Sequence, residues 1–239
     1  MRQREADDAL ALLDEHICIR VRGCIEREVC ERFVRGVYEG RSRWNSDFNA
    51  VQFSLGRAWY THLEQERSRE YFAKAADSDR DVERFAPGLQ SLMRELAGDL
   101  IHEPVHTRRG WCGPGVHVFP AGGLLSREGG DVHFDLEGLS DAHASERAPA
   151  FTIVLMLQPP IEGGELKLWD FTFDGEHHEC DLDDEDLDCD TVMIPYEVGD
   201  LLVIDSYRLH QIQPFRGERD RVSATLHTAR VAGRWESWF

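Results

Sequence analysis

The sequence lacks long apolar runs and any excess of positive charge. No window approaches the roughly 18 consecutive apolar residues that span a bilayer, and the first ten residues, MRQREADDAL, contain no apolar signal core. With 45 acidic against 27 basic side chains, the formal net charge of -18 would repel a nucleic-acid backbone or an anionic membrane. We therefore expect a cytoplasmic protein that binds neither nucleic acid nor membranes.

No Cys-x-x-Cys pair is present, which leaves the sequence without the commonest signature of a zinc ribbon or a redox motif. In a chain with no secretion signal, the cysteines are expected to be reduced thiols rather than a disulfide framework. They are Cys18, Cys24, Cys30, Cys112, Cys180 and Cys189.

Composition and patterning indicate one packed domain. The apolar fraction of 41%, with 12 Phe and 6 Trp, is typical of a globular protein. Helical spacing prevails in residues 1–110, notably over 4–15, 24–40 and 79–100, with an interruption at Pro87. No repeat and no Pro- or Ser-rich linker separates this part from residues 111–239, so we treat 1–239 as a single domain.

Residues 111–239 change to short apolar runs separated by Gly, Pro and Asp. Eight such runs predict an antiparallel barrel or a two-sheet jelly roll. They are VHVF, DVHFD, FTIVLMLQ, GELKLWDF, TVMIP, DLLVID, HQIQPF and RVSATLHTARV. The predicted fold is therefore α+β, mainly β, with a jelly-roll core supported by a helical N-terminal layer.

One acidic segment, DGEHHECDLDDEDLDCD at residues 174–190, falls between two of these runs. Its like charges and low apolar content predict a solvated insertion. Four residues within it could bind zinc, but their spacing fits no closed four-ligand pattern. They are His177, His178, Cys180 and Cys189.

The stretch DVHFDLEG, at residues 131–138, sets His133 and Asp135 two positions apart. Side chains at i and i+2 of a strand point to the same face, so the pair could hold a metal, although a surface hydrogen bond would explain it equally well. His210 begins a later strand run and supplies a possible third ligand. Two imidazoles and one carboxylate form the facial triad of non-haem Fe(II) oxygenases, which leaves positions open for substrate and dioxygen.

Arg221 and Ser223 open the last long run as Arg-Val-Ser, eleven residues beyond His210. The same two-residue alternation places the guanidinium and the hydroxyl on one face. Such a pair is suited to binding a carboxylate. A dicarboxylate cosubstrate would require a site of this kind, although Arg221 could also be a surface residue of the charged run RGERDR.

These motifs resemble the Fe(II)/2-oxoglutarate-dependent dioxygenases. The resemblance covers the C-terminal half and depends on HFD (133–135), GGEL (163–166), VGDLLVID (198–205) and the His210 to Ser223 segment. It implies a double-stranded β-helix in which His133, Asp135 and His210 bind Fe(II). Arg221 and Ser223 would bind the distal carboxylate of 2-oxoglutarate.

The family uses Fe(II), 2-oxoglutarate and O2, with ascorbate as a stimulant, and couples oxidative decarboxylation to C–H oxidation. Related halogenases have Gly or Ala in place of the carboxylate ligand, so Asp135 favours hydroxylation, desaturation or ring formation. The expected substrate is a small molecule such as an amino acid or a natural-product intermediate. A peptidyl or protein prolyl-type hydroxylase is the alternative within this class, and a non-catalytic jelly-roll protein that binds a metal or ligand is the alternative outside it.

Further residues are candidates for the substrate pocket, although packing is the commoner role for most of them. They are Tyr60, His117, Arg127, Trp169 and His227, with His62 considered beside Tyr60. The segment HEPVH (102–106) matches the zinc-protease pattern His-Glu-x-x-His, but Pro104 would lie inside the helix that this pattern requires. We interpret that match as a coincidence.

Overall fold

The computed structural model describes residues 9–175, 182 and 187–239. The α-helices are α1 (Ala9–Glu15), α2 (Arg27–Glu39), α3 (Trp59–Glu64), α4 (Ser68–Phe85), α5 (Leu89–Ile101), α6 (Leu124–Glu128) and α7 (Asp141–Glu146). A short 3-10 helix covers Arg41–Arg43. None of the helices in the described ranges is long and apolar enough to span a membrane.

Most of the β-strands lie in residues 111–239, and the others lie in the preceding part of the chain. The strands are β1 (Ile19–Val21), β2 (Asn45–Asp47), β3 (Gln52–Leu55), β4 (Val105–Thr107), β5 (Gly115–Phe119), β6 (Ala150–Gln158), β7 (Glu162–Gly163), β8 (Leu166–Thr172), β9 (Thr191–Ile194), β10 (Leu201–Asp205), β11 (Arg208–Ile212), β12 (Phe215–Arg216), β13 (Arg221–Val231) and β14 (Arg234–Trp238).

Two sheets form the jelly roll that the strand pattern predicted. The large sheet has the order β1-β10-β6-β13-β5-β3-β2, and β14 extends it from β13. The small sheet has the order β11-β8-β9, and β12 pairs with β7 beside it. All of these pairings are antiparallel. The predicted α+β architecture with a jelly-roll core is confirmed.

Strand β13 lies at the centre of the large sheet. Side chains on one face of the strand pack against the helical layer, and those on the other face point into the jelly roll. Val222, Ala224 and Leu226 are fully buried in the apolar core that also contains residues of α2 and α5. The alternate residues of the strand face the interior of the jelly roll, as the period of two requires. These are Arg221, Ser223, Thr225 and His227.

The first 110 residues form the helical layer and also contribute strands. Strand β1 pairs with β10, while β2 and β3 extend the opposite edge through β5. Pro87 lies in the break between α4 and α5, where the pattern predicted an interruption. His102 follows α5 in the left-handed conformation and β4 begins at Val105, so HEPVH is not helical and cannot form the zinc-protease motif.

The acidic segment 174–190 connects β8 to β9. Its candidate zinc ligands His177, His178 and Cys180 lie outside the described residues, and Cys189 is half-buried. The described cysteines are all free thiols, as the sequence predicts. They are Cys18, Cys24, Cys30, Cys112 and Cys189.

Gly36 allows α2 to approach the end of α4 closely. A Cβ atom at this position would lie 1.7 Å from the backbone carbonyl oxygen of Phe85. Replacing Gly36 by Ala should therefore lower the free energy of unfolding by at least about 3 kcal/mol, despite the better helix propensity of alanine. Urea denaturation would measure the loss, and the exposed Arg35→Ala change in the same helix is the control. An unchanged midpoint in Gly36→Ala would contradict this packing.

Candidate active site

His133 and His210 lie directly opposite each other on neighbouring segments. The backbone N–H of each donates to the carbonyl oxygen of the other at 3.0 Å. The Asp135 N–H donates to the carbonyl oxygen of Ser206 at 2.9 Å, which continues the pairing beside β11. Residues 131–135 thus lie beside the small sheet and are joined to it by backbone hydrogen bonds. These hydrogen bonds fix the backbone positions of all three candidate ligands.

The three side chains converge as a metal site requires. One ligand atom from each residue lies within 4.8 Å of the others. The Asp135 carboxylate oxygens lie 3.8 Å from His133 Nε2 and 3.6 Å from His210 Nε2. The Nδ1 atoms of His133 and His210 each lie 2.9 Å from a backbone carbonyl oxygen, which can only accept a hydrogen bond. Each neutral imidazole therefore carries its lone pair on Nε2, the atom that faces Asp135.

The protonation states of these groups also suit a divalent cation. Burial and the neighbouring His133 lower the pKa of His210 to about 4, so its imidazole is neutral at pH 7. Burial alone would raise the pKa of Asp135, but the surrounding imidazoles and a hydrogen bond from Thr152 outweigh it and lower that pKa to about 2. One anionic and two neutral ligands are the donor set that Fe(II) takes in a facial triad.

Arg221 is a buried cation inside the jelly roll. Its side chain is 1% exposed, and its guanidinium lies against the ring faces of Phe119 and Tyr196, at 5.4 and 5.2 Å from their centroids. It donates to Ser223 Oγ at 3.2 Å and, at 3.4 Å, to the Gly164 carbonyl oxygen. No carboxylate pairs with it in the described part of the chain. A buried charge without a counter-ion is costly, so this position is suited to an anionic ligand.

Tyr196 is a residue of this site that the sequence did not reveal. Its hydroxyl is buried, and within the described residues it has no hydrogen-bond partner by geometry. Burial raises its pKa to about 12, so the hydroxyl is protonated and available to donate. Tyr196 lies between β9 and β10, and nothing in the surrounding IPYEVGD distinguishes it from an ordinary loop tyrosine.

Arg221 and Tyr196 line a cavity of about 880 Å³. Ser223 and all three candidate metal ligands line the same cavity. Leu166, Ile204 and Ile212 provide apolar wall, while Phe48 and Tyr60 provide aromatic faces. The candidate metal site and the candidate carboxylate site therefore share one cavity.

This chain is similar to known proteins in structure but not in sequence. No protein-family profile matches the sequence, and no curated protein matches it. Among solved structures, an N-substituted L-amino acid dioxygenase from Burkholderia ambifaria AMMD in complex with α-ketoglutarate (2-oxoglutarate) matches with a TM-score of 0.57. The identity is 13%, over 97% of this chain and 90% of that one. The chain has the fold of the 2-oxoglutarate-dependent oxygenases.

A second similar structure belongs to an enzyme with a different reaction. It is the non-haem α-ketoglutarate-dependent epimerase SnoN from nogalamycin biosynthesis, with a TM-score of 0.55 and 15% identity over 94% of this chain and 84% of that one. The oxygenase fold thus extends over nearly the whole chain, including the helical layer. At these identities the likeness concerns the fold alone.

Three of the candidate pocket residues line the cavity of this oxygenase fold. Tyr60 and His117 lie on neighbouring walls with ring centroids 5.8 Å apart, and His227 faces the metal site from β13. His117 is 5% exposed, and its Nδ1 has no partner within the described ranges. Burial lowers its pKa to about 3, so the imidazole is neutral.

His227 lies beside the candidate metal ligands and contacts one of them. Its Nδ1 is 3.0 Å from Thr152 Oγ1 and 3.9 Å from an Asp135 carboxylate oxygen. The indole of Trp238 stacks against its imidazole, with ring centroids 6.1 Å apart. His227 therefore lies beside the three candidate ligands, with its Nδ1 within hydrogen-bond distance of Thr152, and is not part of the ligand cluster that contains His210.

The structure places two other predicted pocket residues outside the cavity. The Trp169 side chain lies on the opposite face of β8 from Leu166 and Leu168, so it packs with Phe134 in a separate apolar cluster. Arg127 is exposed on α6 and donates to the Gly122 carbonyl oxygen at 2.6 Å. His62, considered beside Tyr60, is buried next to Arg57, because residues 59–64 form a helix rather than the expected strand or loop.

Glu137 is a second residue that the sequence analysis did not single out. It lines the cavity two residues beyond Asp135, on the face that already carries His133 and Asp135. Burial and the neighbouring Asp135 carboxylate raise its pKa to about 7. The signal was present in DVHFDLE, because the alternation that selects His133 and Asp135 also selects Glu137.

Proposed function

We propose that the protein is an Fe(II)/2-oxoglutarate-dependent oxygenase that oxidises a C–H bond of a small molecule. One observation carries the proposal: a His-Asp-His triad with metal-ligand spacing shares a cavity with the buried Arg221, which has no carboxylate partner among the described residues. A cation site beside an anion site is what Fe(II) and 2-oxoglutarate together require. The fold of the similar solved structures supports the same function.

The residues divide into two binding groups. His133, Asp135 and His210 would hold Fe(II), which when bound supplies the dioxygen chemistry that side chains cannot perform. Arg221 would bind the distal carboxylate of 2-oxoglutarate, with the Ser223 and Tyr196 hydroxyls as further hydrogen-bond donors. The fixed backbone pairing of the ligands means that little reorganisation is needed when the metal binds.

The volume of the whole cavity suits small-molecule ligands. Pockets of about 300–1,000 Å³ enclose ligands of drug-like size, and the cavity here lies within that range. The two similar proteins are an N-substituted L-amino acid dioxygenase and an epimerase from nogalamycin biosynthesis, which supports a small-molecule substrate. Because Asp135 occupies the carboxylate position, we propose hydroxylation as the outcome. We also propose that residues 1–239 act as one domain, since β1 pairs with β10.

The visible spectrum under anaerobic conditions tests the proposal. Addition of Fe(II) and then 2-oxoglutarate to the purified protein should produce the weak charge-transfer band of a 2-oxo acid chelated to iron. The band should be absent from the Asp135→Ala variant. Absence of the band from both proteins, with the fold intact by circular dichroism, would favour a non-catalytic jelly-roll binding protein instead.

A further inference from the structure

The charged side chains that line the cavity are of one sign once the two binding groups are set aside. Asp135 belongs to the metal site and Arg221 to the 2-oxoglutarate site. The rest of the described lining includes the imidazoles of His117 and His227 but no lysine and no second arginine. Its remaining acidic side chains are those of Glu64, Glu128, Asp131 and Glu137.

Glu137 is the carboxylate of this set that is most firmly placed. The Trp238 indole N–H donates to the Glu137 carbonyl oxygen at 3.1 Å, and Trp238 is itself buried. Arg108 stacks on the Trp238 ring and donates to the carbonyl oxygen of Gly138. The backbone that carries Glu137 is therefore held on both sides, and its half-buried side chain faces the cavity beside the metal ligands.

No basic side chain of the described residues forms an ion pair with this carboxyl group. Within residues 9–175, 182 and 187–239, the Glu137 side chain forms no ion pair, and no other residue donates a hydrogen bond to it. The nearby groups are Asp135 and Glu64, of the same sign, and the imidazole of the candidate ligand His133. A half-buried carboxyl group is normally either paired or protonated, and a cationic ligand beside Glu137 would pair with its charged form.

Helix α3 provides a matching wall. Tyr60 and Glu64 are one helical turn apart, and both line the cavity. Gln52 donates to the Tyr60 hydroxyl at 2.5 Å, which fixes the ring, and the Phe48 ring lies 6.5 Å away. Aromatic faces with nearby carboxylates form a favourable environment for an organic cation.

A second observation points independently to a polar ligand in the same space. His117 is 5% exposed, lines the cavity, and has an Nδ1 atom without a partner in the described part of the chain. Its ring lies between Tyr60 and the strand that carries Ser223. Buried polar atoms are normally satisfied, so this one is expected to meet a polar group of a bound molecule.

We infer that the substrate carries a protonated amino group, which the Glu137 carboxylate binds beside the metal site. This inference rests on the proposed function, because it assigns to the substrate the part of the cavity that Fe(II) and 2-oxoglutarate do not occupy. An anionic substrate would meet the Glu137 carboxylate and, in the described lining, no lysine and no arginine besides Arg221, so this lining disfavours it.

Binding to protein loaded with Zn²⁺ and 2-oxoglutarate tests the inference without turnover. Zn²⁺ replaces Fe(II) and keeps the sample diamagnetic for ligand-observed NMR. The probes are amines of increasing size, each paired with its N-acetyl derivative and with the carboxylate of equal length, such as phenethylamine, N-acetylphenethylamine and 3-phenylpropionate. We expect amines to bind, and the matched N-acetyl compounds and carboxylates to bind about tenfold or more weakly.

Glu137→Gln preserves the shape of the side chain and removes its charge. In this variant amine binding should weaken about tenfold while the affinity for 2-oxoglutarate, measured by calorimetry, stays unchanged. Glu218→Gln, an exposed change outside the cavity, should leave both affinities as they are. Equal binding of amines and carboxylates, unaltered amine binding in Glu137→Gln, or no amine binding to protein that binds 2-oxoglutarate would overturn the inference. Failure to bind 2-oxoglutarate at all would instead contradict the proposed function.

Discussion

Replacing Asp135 by Ala should remove Fe(II) binding and turnover together. Asp135 supplies the only anionic ligand of the triad, and its carboxylate oxygens lie within 3.8 Å of both imidazole Nε2 atoms. Loss of partners that merely orient metal ligands commonly costs 10- to 100-fold in affinity, so we expect loss of a charged ligand to exceed about a hundredfold. Equilibrium dialysis of Fe(II) under anaerobic conditions would measure the affinity, and succinate release would measure turnover.

The same substitution should leave the fold intact. Asp135 is surrounded by His133, His210 and His227 rather than by apolar side chains, so its removal opens no gap in the hydrophobic core. The thermal unfolding midpoint of the metal-free variant should therefore remain close to that of the wild type. Asp190→Ala, at an exposed position, is the matched control and should retain both metal binding and turnover. Normal activity in Asp135→Ala would show that the metal ligands lie elsewhere.

Period-two alternation explains how much of the metal site could be predicted from the sequence. It places His133 with Asp135, and it places Arg221 with Ser223, even though residues 131–135 form only a bridged segment rather than a regular strand. His210 could be added because it begins a run next to an apolar strand. Which segments pair across the sheets was not visible, because His133 and His210 are 77 positions apart and meet only through tertiary structure.

The same rule shows why other positions were misjudged or missed. Trp169 lies on a strand that borders the cavity, but Leu166 and Leu168 occupy the inward face, and the sequence of β8 does not reveal which face is inward. Tyr196 lies outside the regular strands, where alternation provides no information. Its role follows from contact with Arg221, which joins two distant parts of the chain.

Long-range packing also decides the shape of the helical layer. The periodic patterns predicted helices near 24–40 and 79–100, and α2 and α5 occupy most of those ranges. Strands β2 and β3 were missed, since each has only a few residues; β3 is stabilised by pairing with β5, and β2 by pairing with β3. Short edge strands carry too little pattern of their own, so the sheet that they join determines their conformation.

Replacing Arg221 by Ala should raise the requirement for 2-oxoglutarate sharply. The guanidinium is buried between two aromatic rings, in a place where water cannot substitute for it. A carboxylate that enters this site without Arg221 would lose a charge-assisted hydrogen-bonding partner and remain desolvated, so we expect the KM for 2-oxoglutarate to rise by about a hundredfold or more. Initial rates of succinate formation over a range of 2-oxoglutarate concentrations would give this value.

Two further variants distinguish the charge of Arg221 from the hydrogen bonds that the site donates to the carboxylate. Arg221→Lys keeps a positive charge but cannot present two parallel N–H groups, so its KM should fall between those of the wild type and Arg221→Ala. Tyr196→Phe removes one neutral hydroxyl donor and should raise the KM by roughly tenfold or less. Arg216→Ala, an exposed change on β12, should have no effect.

Thermal shifts provide a readout of the same interaction that does not depend on turnover. A ligand that binds only the folded state raises the unfolding midpoint, by an amount that grows with the logarithm of its concentration divided by its Kd, so Zn²⁺ and 2-oxoglutarate should stabilise the wild type. Zn²⁺ alone should still stabilise Arg221→Ala, because its triad is intact, but 2-oxoglutarate should add nothing further. If 2-oxoglutarate stabilised this variant as strongly as it does the wild type, and the KM were unchanged, Arg221 would not be the carboxylate-binding residue. The buried cation would then require a different anionic partner.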